Sequence, residues 1–238
     1  MSAAGPPRPK GEPEVVELTK PQRAVVRLMT QSKTTVPHFY VSADVDMTRA
    51  VELRQSLAAA AAADPAPTFT DMIVKACAIA LREFPRVNAS FRDDHVEIYP
   101  RVNVAVAVAA DDAVFTPTIK EADTAPLAEI ARQNRELTGK VREGTVSPSD
   151  LDGGTFTVSN LGMFGVDAFV AVITPPQAAS VAVGRLAARP VVDENGEVAV
   201  RQIMTLTLSC DHRVVMGAQA ALFLDRVRAL LEQCDLTQ

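Results

Sequence analysis

The sequence predicts a single domain of the α/β or α+β class, and three observations lead to that prediction. From Leu18 onward, segments with helical spacing of apolar residues alternate with short segments rich in β-branched residues. Neither an internal repeat nor a later change in composition marks a second domain. The 238 residues, of which 47% are hydrophobic and 22% charged, are enough to bury a core without metal or disulfide cross-links.

Five segments predict helices. The first, from Lys20, has Pro21 in its opening turn, where a missing N–H costs no hydrogen bond. Thr70 is the expected N-cap of the third helix, Pro85 its expected stop, and Thr124 the expected N-cap of the fourth. The predicted helices are Lys20–Ser32, Met47–Ala63, Thr70–Phe84, Leu127–Val141 and Ala220–Cys234.

Strand patterns separate these helices. In the segment 103–109 valine alternates with alanine or asparagine, so burial on both faces is expected. In the last strand the even-numbered positions from Val198 to Cys210 are mostly apolar, and His212 continues that side. The pattern therefore places the His212 imidazole against a dry surface at the strand end. The predicted strands are His38–Asp46, Asn103–Ala109, Thr155–Ser159, Ala178–Gly184, Arg189–Val192 and one that starts at Glu197 after the turn Asp193–Gly196.

Composition and charge exclude several classes. The net charge is −5, from 24 basic and 29 acidic residues, and does not indicate a protein that binds nucleic acid. The 3 widely spaced cysteines form no Cys-x-x-Cys pair, which predicts a reducing setting without disulfides or thiolate metal sites. No apolar run reaches the roughly 18 residues of a membrane span, so a soluble protein is expected. Residues 1–17 are Pro-rich and predict a flexible linker in front of a domain at 18–238.

Common catalytic motifs are missing from the sequence, which has no Gly-x-Ser-x-Gly elbow, Walker loop, Gly-x-Gly-x-x-Gly or His-Glu-x-x-His. The three histidines, His38, His95 and His212, have no carboxylates at ligand spacing, so no metal is expected. His95 follows two aspartates in a polar turn, and His38 begins a strand; a surface role and a packing role fit them. His212 lies at a strand–helix junction, and two interpretations are open: a core histidine or a general base.

The second candidate is Ser159, in the Gly-punctuated segment GGTFTVSNLGMFG (153–165). Its hydroxyl lies where a strand runs into a turn. One interpretation is a donor to a developing oxyanion. The other is a Ser-Asn turn that satisfies its own backbone. Neither candidate by itself names a function.

Together, these segments resemble the catalytic domain of the dihydrolipoamide acyltransferases of 2-oxo acid dehydrogenase complexes, which shares its fold with chloramphenicol acetyltransferase. The resemblance extends from about Leu18 to Leu236. The Ser-Asn-Leu-Gly-Met-Phe-Gly run is most similar to the acetyl-transferring branch of the pyruvate complex. Its landmarks are LTKPQRAVVRLMTQSKTTVPHFY (18–40), RVNVAVAVAADDAVFTPTI (101–119), GTFTVSNLGMFGVDAF (154–169), ITPPQAASVAVG (173–184) and TLTLSCDHRVV (205–215).

The resemblance implies a two-layer α/β sandwich with a mixed sheet, a homotrimer that builds toward a larger cage, and acyl transfer between the dihydrolipoamide of a lipoyl domain and coenzyme A. His212 matches the family's catalytic histidine and Ser159 its oxyanion-binding serine, which in the family come from neighbouring subunits. Phe169, Pro175 and Pro176 fall where the family lines the coenzyme channel. The implied partners are lipoyl domains and other dehydrogenase-complex subunits, with no metal, nucleic acid or membrane, in the bacterial cytoplasm or an organelle matrix.

Two departures from the family pattern concern the site and the substrate carrier. The family has Asp or Asn four residues after the histidine, whereas this chain has Met216, whose thioether cannot replace a carboxylate or amide. The family usually has an arginine where this chain has Leu28, so a paired loss is one interpretation, in which Met216→Asp alone would bury an uncompensated carboxylate. None of the six lysines lies in a lipoyl setting, so the lipoyl group is expected on a domain that this chain does not contain. Two alternatives stay open: a catalytically weak scaffold of such a complex, and a free small-molecule acetyltransferase.

Overall fold

Six helices and eleven strands form the part of the chain that the computed structural model describes, residues 11, 13–60, 66–110, 113–193 and 195–236. The helices are α1 (Lys20–Thr35), α2 (Thr48–Ala60), α3 (Phe69–Glu83), α4 (Leu127–Arg142), α5 (Pro148–Leu151) and α6 (Gly217–Gln233), with a 3-10 turn at Gly162–Phe164. The strands are β1 (His38–Asp46), β2 (Ala89–Arg92), β3 (His95–Ile98), β4 (Val104–Val106), β5 (Val108–Ala109), β6 (Val114–Phe115), β7 (Thr118–Ile119), β8 (Phe156–Asn160), β9 (Ala179–Val183), β10 (Ala187–Val192) and β11 (Val198–Asp211).

The main sheet is mixed and has seven strands. Its order is β1-β11-β9-β8-β4-β7, and β10 pairs with the first half of β11. The pairs β4–β8 and β8–β9 are parallel, whereas β11 is antiparallel to both β1 and β9. Consequently the carboxyl ends of β8 and β9 lie at one end of the strands, and the carboxyl end of β11 lies at the other. These two borders of the sheet, which run across the strands, are the β9 edge and the β11 edge. Two small hairpins, β2–β3 and β5–β6, lie outside this sheet.

The core lies between one face of the sheet and the layer formed by α3 and α6. Every residue of α3 from Asp71 to Leu81 is buried, because the helix has neighbours on several sides. Phe223 of α6 contacts Phe84 and Phe156 with ring centroids 6.1 and 5.8 Å away. This apolar layer fixes β8, β9 and β11 relative to one another.

The opposite face of the sheet is polar and is crossed by the irregular segment 166–177. Ser209 donates to the carbonyl of Ala171 (2.7 Å), and the Thr157 hydroxyl donates to Gln177 Oε1 (2.6 Å). A Cβ at Gly184 would lie 1.9 Å from the carbonyl oxygen of Asp167, so glycine is needed where the segment touches the sheet. The segment therefore runs over the polar face from the edge where β9 ends to the edge where β11 ends.

The predicted class and most predicted elements are confirmed, with corrections at the ends. Thr68, and not Thr70, caps α3, because its hydroxyl and N–H form a reciprocal capping box with Asp71. Pro126, and not Thr124, stands at the N-cap of α4. The hairpin β2–β3 was not predicted, and the predicted strand at 103–109 is divided into β4 and β5.

The predictions for the ends of the chain are tested only in part. Most of the predicted linker, together with the last residues of the predicted second helix, lies outside the described residues. Residues 13–19, at the end of that linker, have no regular secondary structure. Among the described helices, none combines the length and the apolar character needed to cross a bilayer.

Candidate active site

Ser159 is placed near the end of β8 by two parallel neighbours. Val158 points into the core, so Ser159 lies on the polar face, directly across from Ala182 of β9. Within the described chain the Ser159 hydroxyl has no hydrogen-bond partner, whereas the Asn160 side chain accepts the Gly162 N–H (2.8 Å) and donates to Thr70 (3.0 Å). The turn is therefore stabilised by Asn160, and the hydroxyl of Ser159 is left for another partner.

A cavity of about 670 Å³ opens beside Ser159. It lies between the start of α3, the middle of α4 and the turn after β8, with Thr68 and Asn134 among its lining residues. Met163 and Phe164 also line it and are 69% and 68% exposed, which is unusual for large apolar side chains. The cavity therefore offers polar groups close to Ser159 and an apolar rim.

His212 follows β11 in a turn and is exposed in the single chain, so the predicted dry environment is wrong. The pattern failed because β11 ends at Asp211, after which alternation no longer governs direction. The imidazole lies 4.5 Å from the Phe39 ring, centroid to centroid, and the His212 N–H donates to the Pro37 carbonyl (3.1 Å). This placement excludes the core-histidine interpretation and leaves both ring nitrogens without a hydrogen-bond partner in the described chain.

Ser159 and His212 lie at opposite edges of the sheet. Ser159 is paired with Ala182, which is paired with Thr207 of β11. His212 lies five positions beyond Thr207, which corresponds to roughly 17 Å along the strand, and two strand spacings add about 10 Å sideways. One chain therefore cannot bring both side chains to the same carbonyl carbon.

The segment 166–177 connects the two edges and carries the predicted coenzyme-channel residues. Phe169 is half-buried, near the middle of the polar face. Pro175 and Pro176, joined by a cis peptide bond, lie next to the edge where β11 ends, since the nearby Ala178 carbonyl accepts the Asp211 N–H (2.8 Å). The structure thus places both prolines at the His212 edge and Phe169 between the edges.

Met216 is the N-cap residue of α6, with φ −91° and ψ 156°. Its N–H donates to Gln219 Oε1 (3.1 Å), and its side chain is 47% exposed. The expectation that a carboxylate here would be buried is therefore wrong for the single chain. The paired loss at Met216 and Leu28 stays a prediction.

The residues on either side of His212 are tied to each other, a feature that the sequence analysis missed. The Asp211 carboxylate is buried and accepts three groups of Arg213: the backbone N–H (3.0 Å), Nε (2.9 Å) and Nη2 (2.7 Å). These bonds raise the pKa of the Arg213 guanidinium. Burial raises the pKa of the neighbouring Cys210 thiol to about 12, which excludes it as a nucleophile near neutral pH.

The other histidines occupy the settings expected for them. His38 is half-buried, and its Nε2 accepts the Ile173 N–H (3.2 Å), so it packs segment 166–177 against β1. His95 is exposed at the start of β3, 3.7 Å from Glu97. Both lie outside the arrangement formed by Ser159 and His212.

Comparisons with known proteins show the family of this chain. The family model described as 2-oxoacid dehydrogenases acyltransferase (catalytic domain) matches residues 10–237. The dihydrolipoyllysine-residue acetyltransferase component of the pyruvate dehydrogenase complex of Zymomonas mobilis is 36% identical over 219 residues, 92% of this chain and 50% of that protein. The chain spans about half the length of the curated relatives it matches.

Solved structures extend the likeness to three dimensions. The dihydrolipoamide acetyltransferase of Azotobacter vinelandii has a TM-score of 0.90 and 29% identity, over 96% of this chain and 98% of that one; a serine, a histidine and an asparagine four positions after the histidine were studied in its mechanism. The cubic core of a pyruvate dehydrogenase multienzyme complex has a TM-score of 0.91 and 30% identity, with the same coverage. A chloramphenicol acetyltransferase, at a TM-score of 0.56 and 14% identity over 82% of this chain and 86% of that one, confirms the predicted fold class.

Proposed function

Because the chain belongs to the 2-oxoacid dehydrogenase acyltransferase family, as a catalytic domain, we propose that it transfers an acetyl group between coenzyme A and the dihydrolipoamide group of a lipoyl domain. The observation that carries this proposal is the pair formed by Ser159 and His212. Each presents an unpartnered polar group at an end of the same sheet, in the order and motifs of the family. The Azotobacter enzyme supports the assignment, since a serine and a histidine were studied in its mechanism.

The proposed step is a direct acyl transfer. The neutral imidazole of His212 accepts the proton of the attacking thiol, and the thiolate adds to the carbonyl carbon of the acetyl thioester. Ser159 donates a hydrogen bond to the oxyanion of the tetrahedral intermediate. When the intermediate collapses, the carbon–sulfur bond to the leaving thiol breaks, and the imidazolium returns its proton to that sulfur. General-base catalysis contributes roughly 100- to 10,000-fold to such a step.

This chemistry requires at least two copies of the chain. Since Ser159 and His212 of one chain cannot reach the same carbon, His212 of one copy must meet Ser159 of another. A trimer with three such sites, and a cage built from trimers, are the assemblies we propose. The structural similarity to a cubic core supports them. A mass measurement in solution tests this point, and a monomer would contradict it.

The proposed substrates approach along segment 166–177. Phe169, Pro175 and Pro176 line the route of coenzyme A, and the acyl-carrying lipoyl domain and the other subunits of the complex are the proposed partners. Acetyl is the proposed acyl group because the segment SNLGMFG is most similar to the acetyl-transferring branch of the family. We expect the protein in the compartment where the 2-oxo acid dehydrogenase complex is found, which is the bacterial cytoplasm or an organelle matrix.

Turnover of acetyl-coenzyme A with free dihydrolipoamide is the experiment that tests this function. We expect catalytic formation of acetyl-dihydrolipoamide and coenzyme A by the purified chain. Assembly without turnover would favour the scaffold interpretation instead. Turnover of a small-molecule alcohol or amine, with none of dihydrolipoamide, would favour the free acetyltransferase.

A further inference from the structure

The turn that carries His212 is closed by an ion pair between the residues on either side of it. Asp211 is 2% exposed, and its carboxylate meets the Arg213 guanidinium in a two-point contact, with Nη2–Oδ2 at 2.7 Å and Nε–Oδ1 at 2.9 Å. The same carboxylate accepts the Arg213 N–H, which closes the backbone over His212. The Val214 and Val215 N–H groups donate to the Asp211 carbonyl. His212 therefore lies inside a loop of fixed hydrogen bonds.

The ion pair is itself held from outside the turn. The Arg213 guanidinium lies over the Phe91 ring of β2, 4.3 Å from its centroid. Arg86, between α3 and β2, donates through Nε to the Val214 carbonyl (3.1 Å). These contacts connect the turn to the β2–β3 hairpin, which lies outside the main sheet. Arg213 thus contacts both the start of the turn and a neighbouring rigid element.

Among the described residues that follow the turn, none donates a hydrogen bond to the imidazole or accepts one from it. The family pattern has a carboxylate or amide four residues after the histidine, but Met216 makes no side-chain hydrogen bond and is half-exposed. Within the described residues, the imidazole packs against the tilted ring of Phe39, with ring centroids 4.5 Å apart. Its direction therefore depends on the backbone of the turn, which the ion pair fixes.

We propose that the Asp211–Arg213 ion pair is a positioning device that holds the His212 imidazole on Phe39 in the direction needed for proton transfer. The inference rests on the proposed function, since it assigns the pair a role in acyl transfer. Neither residue touches the reacting atoms in this assignment. Arg213 acts because its planar, two-point contact fixes the turn, which a single ammonium group reproduces only in part.

Two variants test the role of Arg213. Arg213→Met keeps an apolar contact with Phe91 but removes the guanidinium and its two-point contact with Asp211. We expect kcat for acetyl transfer to fall about 10- to 100-fold, since misplacing a catalytic group by about 1 Å costs roughly 100-fold. The Michaelis constants for both substrates should stay within about twofold of those of the unmodified protein. Arg213→Lys should recover part of the loss in kcat.

Arg226→Met is the matched control. Arg226 makes an equally close two-point contact with Glu83, with Nε–Oε2 and Nη2–Oε1 both at 2.9 Å, and lies within α6, away from the turn. Because Arg213→Met leaves a buried carboxylate and Arg226→Met an exposed one, a merely structural effect would appear mainly in Arg213→Met, as a loss of folded protein. Only Arg213→Met should lower kcat per folded site.

A crystal structure of Arg213→Met gives a readout that does not depend on activity. We expect the imidazole of His212 to leave its 4.5 Å contact with Phe39 or to become disordered. An imidazole in its original place, with unchanged kcat, would overturn the inference. A rise confined to the Michaelis constant for coenzyme A would overturn it too, because Arg213 would then be a ligand contact. If the unmodified protein transfers no acetyl group, the proposed function fails, and the imidazole position still decides whether the pair positions His212.

Discussion

The two ends of the candidate site are built by different means. Ser159 lies within a sheet, with parallel strands on both sides and a buried neighbour in the core. His212 lies outside regular structure, in a turn fixed by an ion pair and one aromatic contact. Backbone ladders therefore orient the hydroxyl, and side-chain interactions orient the imidazole. We therefore expect the position of the hydroxyl to tolerate substitutions nearby, whereas the position of the imidazole should depend on a few named contacts.

The largest expected effect comes from the less supported end. His212→Ala should lower the rate of acetyl transfer at least about 100-fold, because the proton acceptor is lost. The fold and the assembly should persist, since the side chain is exposed and lies beside the Phe39 ring at the surface of the chain. Steady-state kinetics together with a solution mass measure both. Near-normal turnover would contradict the assignment of His212 as general base.

Ser159→Ala should reduce turnover by roughly 100- to 1,000-fold, or about 2.7–4 kcal/mol of barrier, with little change in the Michaelis constants. The reason is that the hydroxyl donates to charge that develops only in the transition state. Ser42→Ala is the matched control, because its hydroxyl also lies on the polar face, in the same cross-strand row but three strands away from Ser159, and is bonded to Thr207 (2.9 Å). If the Michaelis constants rose and kcat did not change, Ser159 would bind the ground state instead.

Mixing these two inactive variants tests whether the two ends meet between chains. In randomly mixed trimers of His212→Ala and Ser159→Ala, three of every four trimers contain both variants, and each of these has one intact interface. About one quarter of the original activity should therefore return after co-refolding. A site contained within one chain predicts no recovery at all. Separately refolded samples, combined afterwards, supply the baseline.

Much of the fold could be read from the sequence because its signals are local. The capping box of α3 was present as Thr68-x-x-Asp71, yet Thr70 was chosen, since both threonines precede the apolar run. The β2–β3 hairpin was missed because its turn, Asp93–Asp94, reaches positive φ without a glycine. Lys75 is buried in α3 because its ammonium donates to the carbonyls of Asp123 and Ala125, groups that no local pattern predicts.

The positions of the candidate residues along the chain could be predicted from the sequence, but their arrangement in space could not. Ser159 and His212 were identified from their motifs, and the structure places them on the elements expected. The exposure of His212 could not be predicted, because alternation within β11 says nothing about a residue beyond its end. The sequence does show an acidic and a basic residue, Asp211 and Arg213, two positions apart at a strand end. Such a pair is common on protein surfaces, and only the burial of Asp211, which the structure shows, indicates a structural ion pair.

The smallest expected effect concerns the start of α6, next to the His212 turn. An N-cap residue with an oxygen acceptor satisfies an N–H of the first helical turn, and Met216 has none to offer. Because the side chain is half-exposed, Met216→Asp introduces a solvated carboxylate beside the positive end of the helix dipole. We expect the free energy of unfolding to rise by about 0.5–2 kcal/mol in urea denaturation at a fixed protein concentration. Leu222→Asp, an exposed change within the same helix, should give no gain. Adding Leu28→Arg tests the paired-loss interpretation, and additive changes in stability would contradict it. A loss of stability with Met216→Asp that Leu28→Arg restores would show that assembly buries this carboxylate against position 28, and would support completion of the histidine end by another copy.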